Sequence, residues 1–345
     1  MQLGIIGLPQ AGKTTVFELL SDSKNRLAGS GKTNSAMARI PDSRIDYLSD
    51  LFKPKKTTYA QLEVLDIPGL TPGAEKASAV FLDSVRRADA LLHVVGAFNG
   101  EFNIIEDIET VNYELLLADL DLIEKRIARI NSNKKKNQML KELYLLERLQ
   151  KTIESELPLS SLEMDAEEND ILNNYQFLSI KPMLLCINVA EDLLGKSYSQ
   201  RDETLAYAEA KDIPLLEISA SIEHEIAQLE GEDCRIFMEE LGIKEAGIVK
   251  ISRSMYRSLG LISFFTVGED EVKAWTIEEG TVARKAAGKI HSDIERGFIR
   301  AEVVEFKDLQ EYGNMNKLKE KGLFRLEGKE YPVKDGDIVH FRFNV

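Results

Sequence analysis

The sequence predicts an α/β protein with a mainly parallel sheet, an inserted α-helical hairpin and a smaller α+β domain at its carboxy-terminal end. Three observations carry this prediction. Short apolar runs alternate with helical patterns over the first hundred residues, the signature of a parallel sheet covered by helices. From about Glu106 to Glu156 a segment rich in Leu, Ile, Glu and Lys, almost free of glycine and proline, interrupts that alternation. Beyond Leu261, short β-like runs surround small helices and glycine turns.

The elements follow in order. A strand over Gln2 to Ile6 leads into a helix from Lys13 to about Ser21, then a strand from Leu62 to Ile67, a helix near Ala77 to Arg87 and a strand from Ala90 to Val95. In the interrupting segment Leu116, Leu120, Ile123, Ile127 and Ile130 recur at helical spacing. After the polar stretch Asn131 to Asn137 a second set follows, Leu140, Leu143, Leu146, Leu149 and Ile153. Two amphipathic helices joined by a basic turn predict an antiparallel hairpin whose apolar stripes are core. The alternation resumes with a strand from Met183 to Asn188, a helix near Asp202 to Lys211 and a strand from Pro214 to Ser219. The last domain is expected to use Ile262 to Val267, Ala274 to Ile277, Phe298 to Phe306 and Ile338 to Phe343 as strands. The expected division is therefore an α/β domain of residues 1–100 and 175–260, a helical insertion of residues 101–174, and a final domain of residues 261–345.

Composition narrows the function. The 345 residues are 43% hydrophobic and carry a formal charge of −14, which excludes a mainly disordered chain and argues against a general nucleic-acid coat or a polybasic membrane binder. No run approaches the roughly 18 apolar residues that cross a bilayer, and no basic leader precedes the first strand. Cys186 and Cys234 lack metal-ligand spacing, so two reduced thiols in a cytoplasmic protein are expected.

The chemistry is concentrated in three short tracts. Gly7-Leu8-Pro9-Gln10-Ala11-Gly12-Lys13-Thr14 fits the phosphate-loop pattern and lies directly between an apolar strand and a helix. In that setting the N–H groups of Pro9-flanking residues Gln10, Ala11 and Gly12, and of Lys13, Thr14 and Thr15 at the helix start, face phosphates; Lys13 reaches the β and γ oxygens and Thr14 can ligate Mg2+. Asp66-Ile67-Pro68-Gly69 closes a strand 53 residues after Lys13. Asp66 can hold Mg2+ through water, and the Gly69 N–H can sense the γ-phosphate, which makes Lys13 and Gly69 the candidate catalytic groups. Asn188-Val189-Ala190-Glu191 ends another buried strand, where Asn188, Val189 and Glu191 are base-site candidates. GTPases generally have Asn-Lys-x-Asp there, and a carboxylate moved by one methylene does not guarantee bidentate reading of guanine. Ser219-Ala220-Ser221 matches the short segment that closes over the base. The first switch falls in a Gly/Ser-rich stretch in which Ser30, Thr33 and Ser35 all offer hydroxyls, with Thr33 the preferred Mg2+ candidate.

Together these tracts resemble the YchF-type Obg-like ATPases of the translation-factor GTPase class, P-loop NTPases whose G-domain carries a helical insertion. The resemblance spans nearly the whole chain. It includes Ala274-Trp275-Thr276-Ile277, Ala286-Ala287-Gly288-Lys289-Ile290-His291 with Asp293, Gly297-Phe298-Ile299, and Asp335-Gly336-Asp337 followed by Phe341-Arg342-Phe343-Asn344. It implies a carboxy-terminal TGS domain of ubiquitin-like β-grasp fold, preference for ATP over GTP, slow hydrolysis and association with ribosomes. After the switch aspartate the chain departs from the family's longer glycine-rich run, reading Leu70-Thr71-Pro72-Gly73-Ala74-Glu75-Lys76-Ala77. Leu70 occupies the position where many GTPases carry a water-orienting glutamine, which leucine cannot replace by hydrogen bonding. The family's histidine after the next strand is also missing, since Ile104-Ile105 is followed by Glu106. His93, the nearby histidine, lies inside an apolar strand and reads as a satisfied core residue rather than a catalyst.

The leading expectation is thus a Mg2+-dependent nucleoside triphosphatase with the ribosome as partner and no membrane partner. Its alternatives are a nucleotide-gated binding module with vestigial hydrolysis and a GTP-specific GTPase. A phosphotransferase would need an Arg-rich lid that the sequence does not supply. Residues 262–345 carry 14 Lys and Arg against 16 Asp and Glu. This near-neutral domain and the Lys134 to Lys136 tip are the expected places for any RNA contact.

Overall fold

The computed structural model describes residues 1–27, 34–98, 100, 102–134 and 136–344. It contains two compact units, Met1–Ala36 with Glu63–Ile248, and Met37–Leu62 with Val249–Val345. Along the chain, β1 (Gln2–Ile6), α1 (Lys13–Leu20), β2 (Ser21–Leu27) and β3 (Asn34–Arg39) come first, followed by α2 (Ser43–Phe52), β4 (Lys56–Thr58), β5 (Gln61–Asp66), α3 (Glu75–Arg87) and β6 (Ala90–Ala97). Then come α4 (Ile104–Asn131), α5 (Leu140–Glu154), α6 (Ala166–Leu172), β7 (Met183–Val189), α7 (Arg201–Ala210) and β8 (Leu215–Ile218). Three helices, α8 (Ala220–Gln228), α9 (Gly231–Glu240) and α10 (Gly247–Ser258), lead to β9 (Leu261–Val267) and β10 (Glu271–Glu278). The chain ends with α11 (Ala283–Ile290), α12 (Ser292–Arg296), β11 (Phe298–Glu305), α13 (Phe306–Tyr312), α14 (Met315–Glu320), β12 (Arg325–Glu327) and β13 (Asp337–Phe343).

The seven-stranded sheet runs β2-β3-β5-β1-β6-β7-β8. Its β5, β1, β6, β7 and β8 pair in parallel. The central strands are buried along almost their whole length, which is why β1, β6 and β7 read as continuous apolar runs rather than alternations. In the hairpin, Leu116, Ile123 and Ile130 of α4 share a core with Leu143, Leu146, Leu149 and Ile153 of α5, as their helical spacing predicts. One buried carboxylate anchors α4 to the segment before β7. Asp119 is fully buried and accepts hydrogen bonds from the Leu178 and Ser179 N–H groups at 2.8–3.0 Å and from the Ser179 hydroxyl at 2.7 Å.

The second unit is a six-stranded sheet, β12-β11-β13-β9-β10-β4, with β13 parallel to β9 between antiparallel pairs. Ala283, Ala286 and Ala287 bury one side of α11 against Ile277, Val303 and Phe341, giving the helix-on-sheet packing of a β-grasp domain. The compact units differ from the expected boundaries in two stretches, residues 37–62 and 249–260, which fall in the second unit rather than the first. Residues 37–62 belong to the second unit for identifiable reasons. β4 pairs in parallel with β10, and the Lys55 and Lys56 N–H groups donate to Glu269 and Asp270 carbonyls. The Arg44 guanidinium also forks between Asp42 and Asp335, whose carboxylate in turn accepts the Ser263 N–H. With this division the second unit carries 22 Lys and Arg against 19 Asp and Glu, and the first carries 22 against 39.

Asp119→Ala would leave two buried N–H groups and a hydroxyl without their acceptor, and is expected to cost about 3 kcal/mol in urea denaturation. A loss below about 1 kcal/mol would mean that those donors are satisfied without the carboxylate.

Candidate functional site

In the first unit four chain segments converge at the carboxyl ends of the parallel strands, the side on which open α/β sheets form their ligand crevice. They follow β1, β5, β7 and β8, so the tracts singled out in the sequence come together in space.

The loop after β1 is shaped by two glycines. Gly7 has φ +141°, and a Cβ there would stand 2.2 Å from the Val94 carbonyl oxygen. Gly12 has φ +93°, and its Cβ would stand 2.3 Å from Asn188 Nδ2. No other residue fits either position without displacing backbone or a buried amide. Gly12 is the N-cap of α1 and the first turn has no side-chain cap, so its N–H groups are available to an anion. Ala11 is buried, Pro9, Gln10 and Thr14 are exposed, and Thr15 is half-buried.

Lys13 is only 8% exposed, and its Nζ donates to the Leu8 carbonyl oxygen at 2.6 Å. Burial lowers its pKa, with Asp66 acting in the opposite direction. Across from it the Thr14 hydroxyl donates to Asp66 Oδ2 at 3.3 Å. Burial raises the Asp66 carboxyl, opposed by Thr14 and Lys13. Both charges are therefore incompletely compensated by protein. Gly69 lies beside them, since a Cβ on it would meet Lys13 Nζ and Pro9 N at 3.0 Å. The next residue is different: the Leu70 N–H donates to the Gly7 carbonyl oxygen at 3.2 Å, while its side chain is fully buried among Ile67, Phe81 and Val85. Leucine at this position is therefore a core residue.

Asn188 joins the remaining segments. Its Nδ2 donates to the Ala11 carbonyl oxygen at 3.3 Å and its Oδ1 accepts the Ala220 N–H at 3.0 Å. Ser219 is buried and within hydrogen-bonding distance of the exposed Ser221, with 2.9 Å between hydroxyl oxygens. Val189 faces the core with Ile104 and Ile108, so only its backbone is available to a base. Glu191 is exposed at the start of a single 3-10 turn. Phe98 was not anticipated. Its Cε1 lies 3.1 Å from a Cβ built on Gly96 and 3.9 Å from one built on Gly12, which puts an aromatic edge next to Asn188 and the phosphate loop. An aromatic directly after a buried parallel strand is the signal that would have flagged it.

Two sequence expectations change here. His93 is a core residue, as expected, but it is not satisfied: it is fully buried and neither ring nitrogen has a hydrogen-bond partner among the described residues. For the first switch, Thr33 and Ser30 lie outside the described residues, and Ser35 sits within β3.

Gly12→Ala is expected to break the Asn188 bridge and abolish nucleotide binding, read by calorimetric titration; unchanged affinity would contradict the loop geometry. Burial, with Lys13 adding to it, lowers the His93 pKa from 6.5 to about 3. The unfolded chain then takes up the proton first, so stability is lost as pH falls below about 6.5. Between pH 7 and pH 5 this group is expected to remove about 2 kcal/mol. Denaturation of the His93→Leu protein should show a correspondingly flatter pH dependence, and an identical slope would refute the assignment.

Comparison with known proteins agrees with this geometry. Residues 2–141 match the family described as 50S ribosome-binding GTPase, and residues 261–344 match YchF-GTPase_C, described as a protein of unknown function (DUF933). The protein named ribosome-binding ATPase YchF in Bacillus subtilis (strain 168) is 41% identical over 361 residues, covering 99% of both chains. Its namesake in Escherichia coli O157:H7 is 37% identical over 359 residues, again covering 99% of both. The solved structure of the Schizosaccharomyces pombe YchF GTPase superposes with a TM-score of 0.89 at 30% identity, covering 99% of this chain and 97% of the other. With the phosphate loop, the inserted hairpin and the carboxy-terminal domain all matched along its length, the chain belongs to the YchF family.

Proposed function

We propose that the chain is a Mg2+-dependent nucleoside triphosphatase that slowly cleaves the β–γ anhydride by water attack, prefers ATP to GTP, and acts in the cytoplasm in association with the ribosome. The observation that carries this reading is the buried Lys13 ammonium beside the Thr14–Asp66 pair at the uncapped start of α1. A polyphosphate placed there would meet a cation, a row of N–H groups and a helix amino terminus. The converging hydroxyl and carboxylate oxygens fit Mg2+, a hard cation that takes few protein ligands and keeps water and phosphate for the rest. Thr14 would bind it directly and Asp66 through water, with Thr33 proposed as a further ligand. Bound in this way, the ion would neutralise charge on the β and γ oxygens.

The chain's own groups divide the remaining work. Lys13 holds the γ-phosphoryl oxygens, the Gly69 N–H reports their presence, and the loop N–H groups fix the leaving diphosphate. Asn188 keeps one amide hydrogen for the base, Ser219, Ala220 and Ser221 cover it, and the Phe98 ring lies beside it. The shift from Asp to Glu at position 191 supports the preference for adenine. The buried Leu70 and His93 offer no group to orient water, which supports slow turnover. The same burial favours a second reading, a nucleotide-gated binding module in which hydrolysis is vestigial. Ribosome association rests on the relatives named ribosome-binding ATPase.

Lys13→Ala is expected to weaken triphosphate binding by about tenfold to a hundredfold, the size of a lost charge-assisted hydrogen bond. Titration of ATP and GTP into nucleotide-free protein tests the base assignment; a GTP preference of about tenfold would reverse it. Single-turnover assays with and without ribosomes separate the two readings. Phosphate release stimulated by ribosomes supports the enzyme, and none under either condition leaves only the binding module.

A further inference from the structure

Most of the buried polar side chains in the first unit are visibly satisfied. Asp119 accepts three donors' hydrogen bonds, Asn188 bridges two segments, Thr204 donates to the Gln200 carbonyl, and Glu223 accepts the Gly247 and Ile248 N–H groups. His93 departs from this rule, with neither ring nitrogen partnered among the described residues. A buried unsatisfied polar group is destabilising, so its presence in the middle of an otherwise apolar sheet requires a reason.

The position of the ring supplies one. His93 is in register with Ile6, the residue immediately before the phosphate loop, and with Leu185 of β7. Leu91, two residues earlier and therefore on the same face of β6, packs with Ile6, Ile67, Leu70 and Phe81. The imidazole thus belongs to the face that supports the switch segment. Its Cδ2 lies 3.7 Å from a Cβ built on Gly7. The Gly7 carbonyl oxygen, in turn, accepts the Leu70 N–H at 3.2 Å. A single residue of the phosphate loop separates the unsatisfied ring from the backbone that follows the γ-phosphate sensor Gly69.

We propose that His93 is a positioning residue of the nucleotide switch: one of its ring nitrogens hydrogen-bonds the backbone of the Gly69-Leu70-Thr71 segment when a γ-phosphate draws that segment inward. The relief of the buried nitrogen then favours triphosphate over diphosphate. His93 touches neither the nucleotide nor the attacking water in this scheme and acts through the switch. The inference rests on the nucleotide-binding reading given above and adds to it the means by which the third phosphate is distinguished.

The test uses the full chain. In protein labelled with 15N at its four histidines, the His93 ring resonances, assigned with the His93→Gln variant, are compared with Mg2+-ADP and with a nonhydrolysable Mg2+-ATP analogue. A change at one ring nitrogen only with the triphosphate is expected, and identical resonances in the two complexes would overturn the proposal. Affinities give an independent readout. His93→Leu should lower the ratio of triphosphate to diphosphate affinity by about threefold to tenfold, the size of one net hydrogen bond. Thermal stability without nucleotide should stay equal or rise, because an unsatisfied polar group has been removed. Glutamine, which still donates and accepts, should restore part of the ratio. A leucine variant that loses stability but keeps the ratio would make His93 a packing residue and sink the inference. If both nucleotides bind while His93 is silent, only this inference fails; if neither binds, the nucleotide reading fails with it.

Discussion

The first unit depends on one buried carboxamide. Asn188 stands at the end of β7 and spends its two polar atoms on the Ala11 carbonyl oxygen and the Ala220 N–H, joining the segments that follow β1 and β8. The phosphate loop has no regular structure of its own and Ala220 is the first residue of α8, so the bridge ties an irregular loop to the start of a helix. Gly12 is tied to the same contact, since a side chain there would occupy the space of the Asn188 amide. A backbone conformation that glycine alone adopts easily and an amide buried between two loops therefore fix each other. The position of Lys13 one residue later follows from both.

Around that fixed point the site gathers polar groups that burial disfavours. Lys13 has a lowered pKa, Asp66 a raised one, and neither ring nitrogen of the buried His93 has a partner among the described residues, all beside a sheet in which Ile5, Ile6, Val64 and Val94 are buried. In each case burial disfavours the polar or charged form. Proteins tolerate such local costs at functional sites when rigid neighbouring structure determines the geometry. The parallel strands supply that rigidity here. A cationic, anionic and hydrogen-bonding deficit gathered in one place matches a ligand that brings phosphate oxygens and a divalent cation together.

The legibility of the sequence follows the range of the interactions. The phosphate loop, Asp66 with Gly69, and Asn188 could be read because each is a short local pattern at the end of an apolar strand. The hairpin was legible because Leu116 to Ile130 and Leu140 to Ile153 repeat with the helical period. Residues 37–62 were misassigned because their allegiance rests on distant pairings, Lys56 to Glu271 in register and Arg44 to Asp335, and because β4 has only three residues to display a period. The unmet hydrogen bonds of His93 were equally hidden. Strand position predicts burial, but whether a partner is present depends on the neighbouring strands and helices.

The division into units also changes what the charge means. The second unit has a formal balance of +3 and the first −17, so nearly all repulsion toward polyanions arises from the unit that holds the nucleotide site. An anionic nucleotide approaching that unit is opposed by its net charge, and the attraction must come from groups within a Debye length of about 8 Å, namely Lys13, the start of α1 and the cation that Thr14 and Asp66 would hold under the proposed function. The same acidity favours divalent cations, which under the proposed function would make the metal complex of the nucleotide a better ligand than the free polyphosphate. For the proposed ribosomal association the argument points the other way. The second unit, with a balance of +3 once residues 37–62 and 249–260 are both counted with it, opposes RNA less than the acidic first unit does. The exposed Lys134 at the hairpin tip is a local exception within an acidic body. Under the proposed function, nucleotide chemistry and ribosomal contact would place opposite demands on charge, and the two units differ in formal balance in the sense that would meet them, −17 against +3.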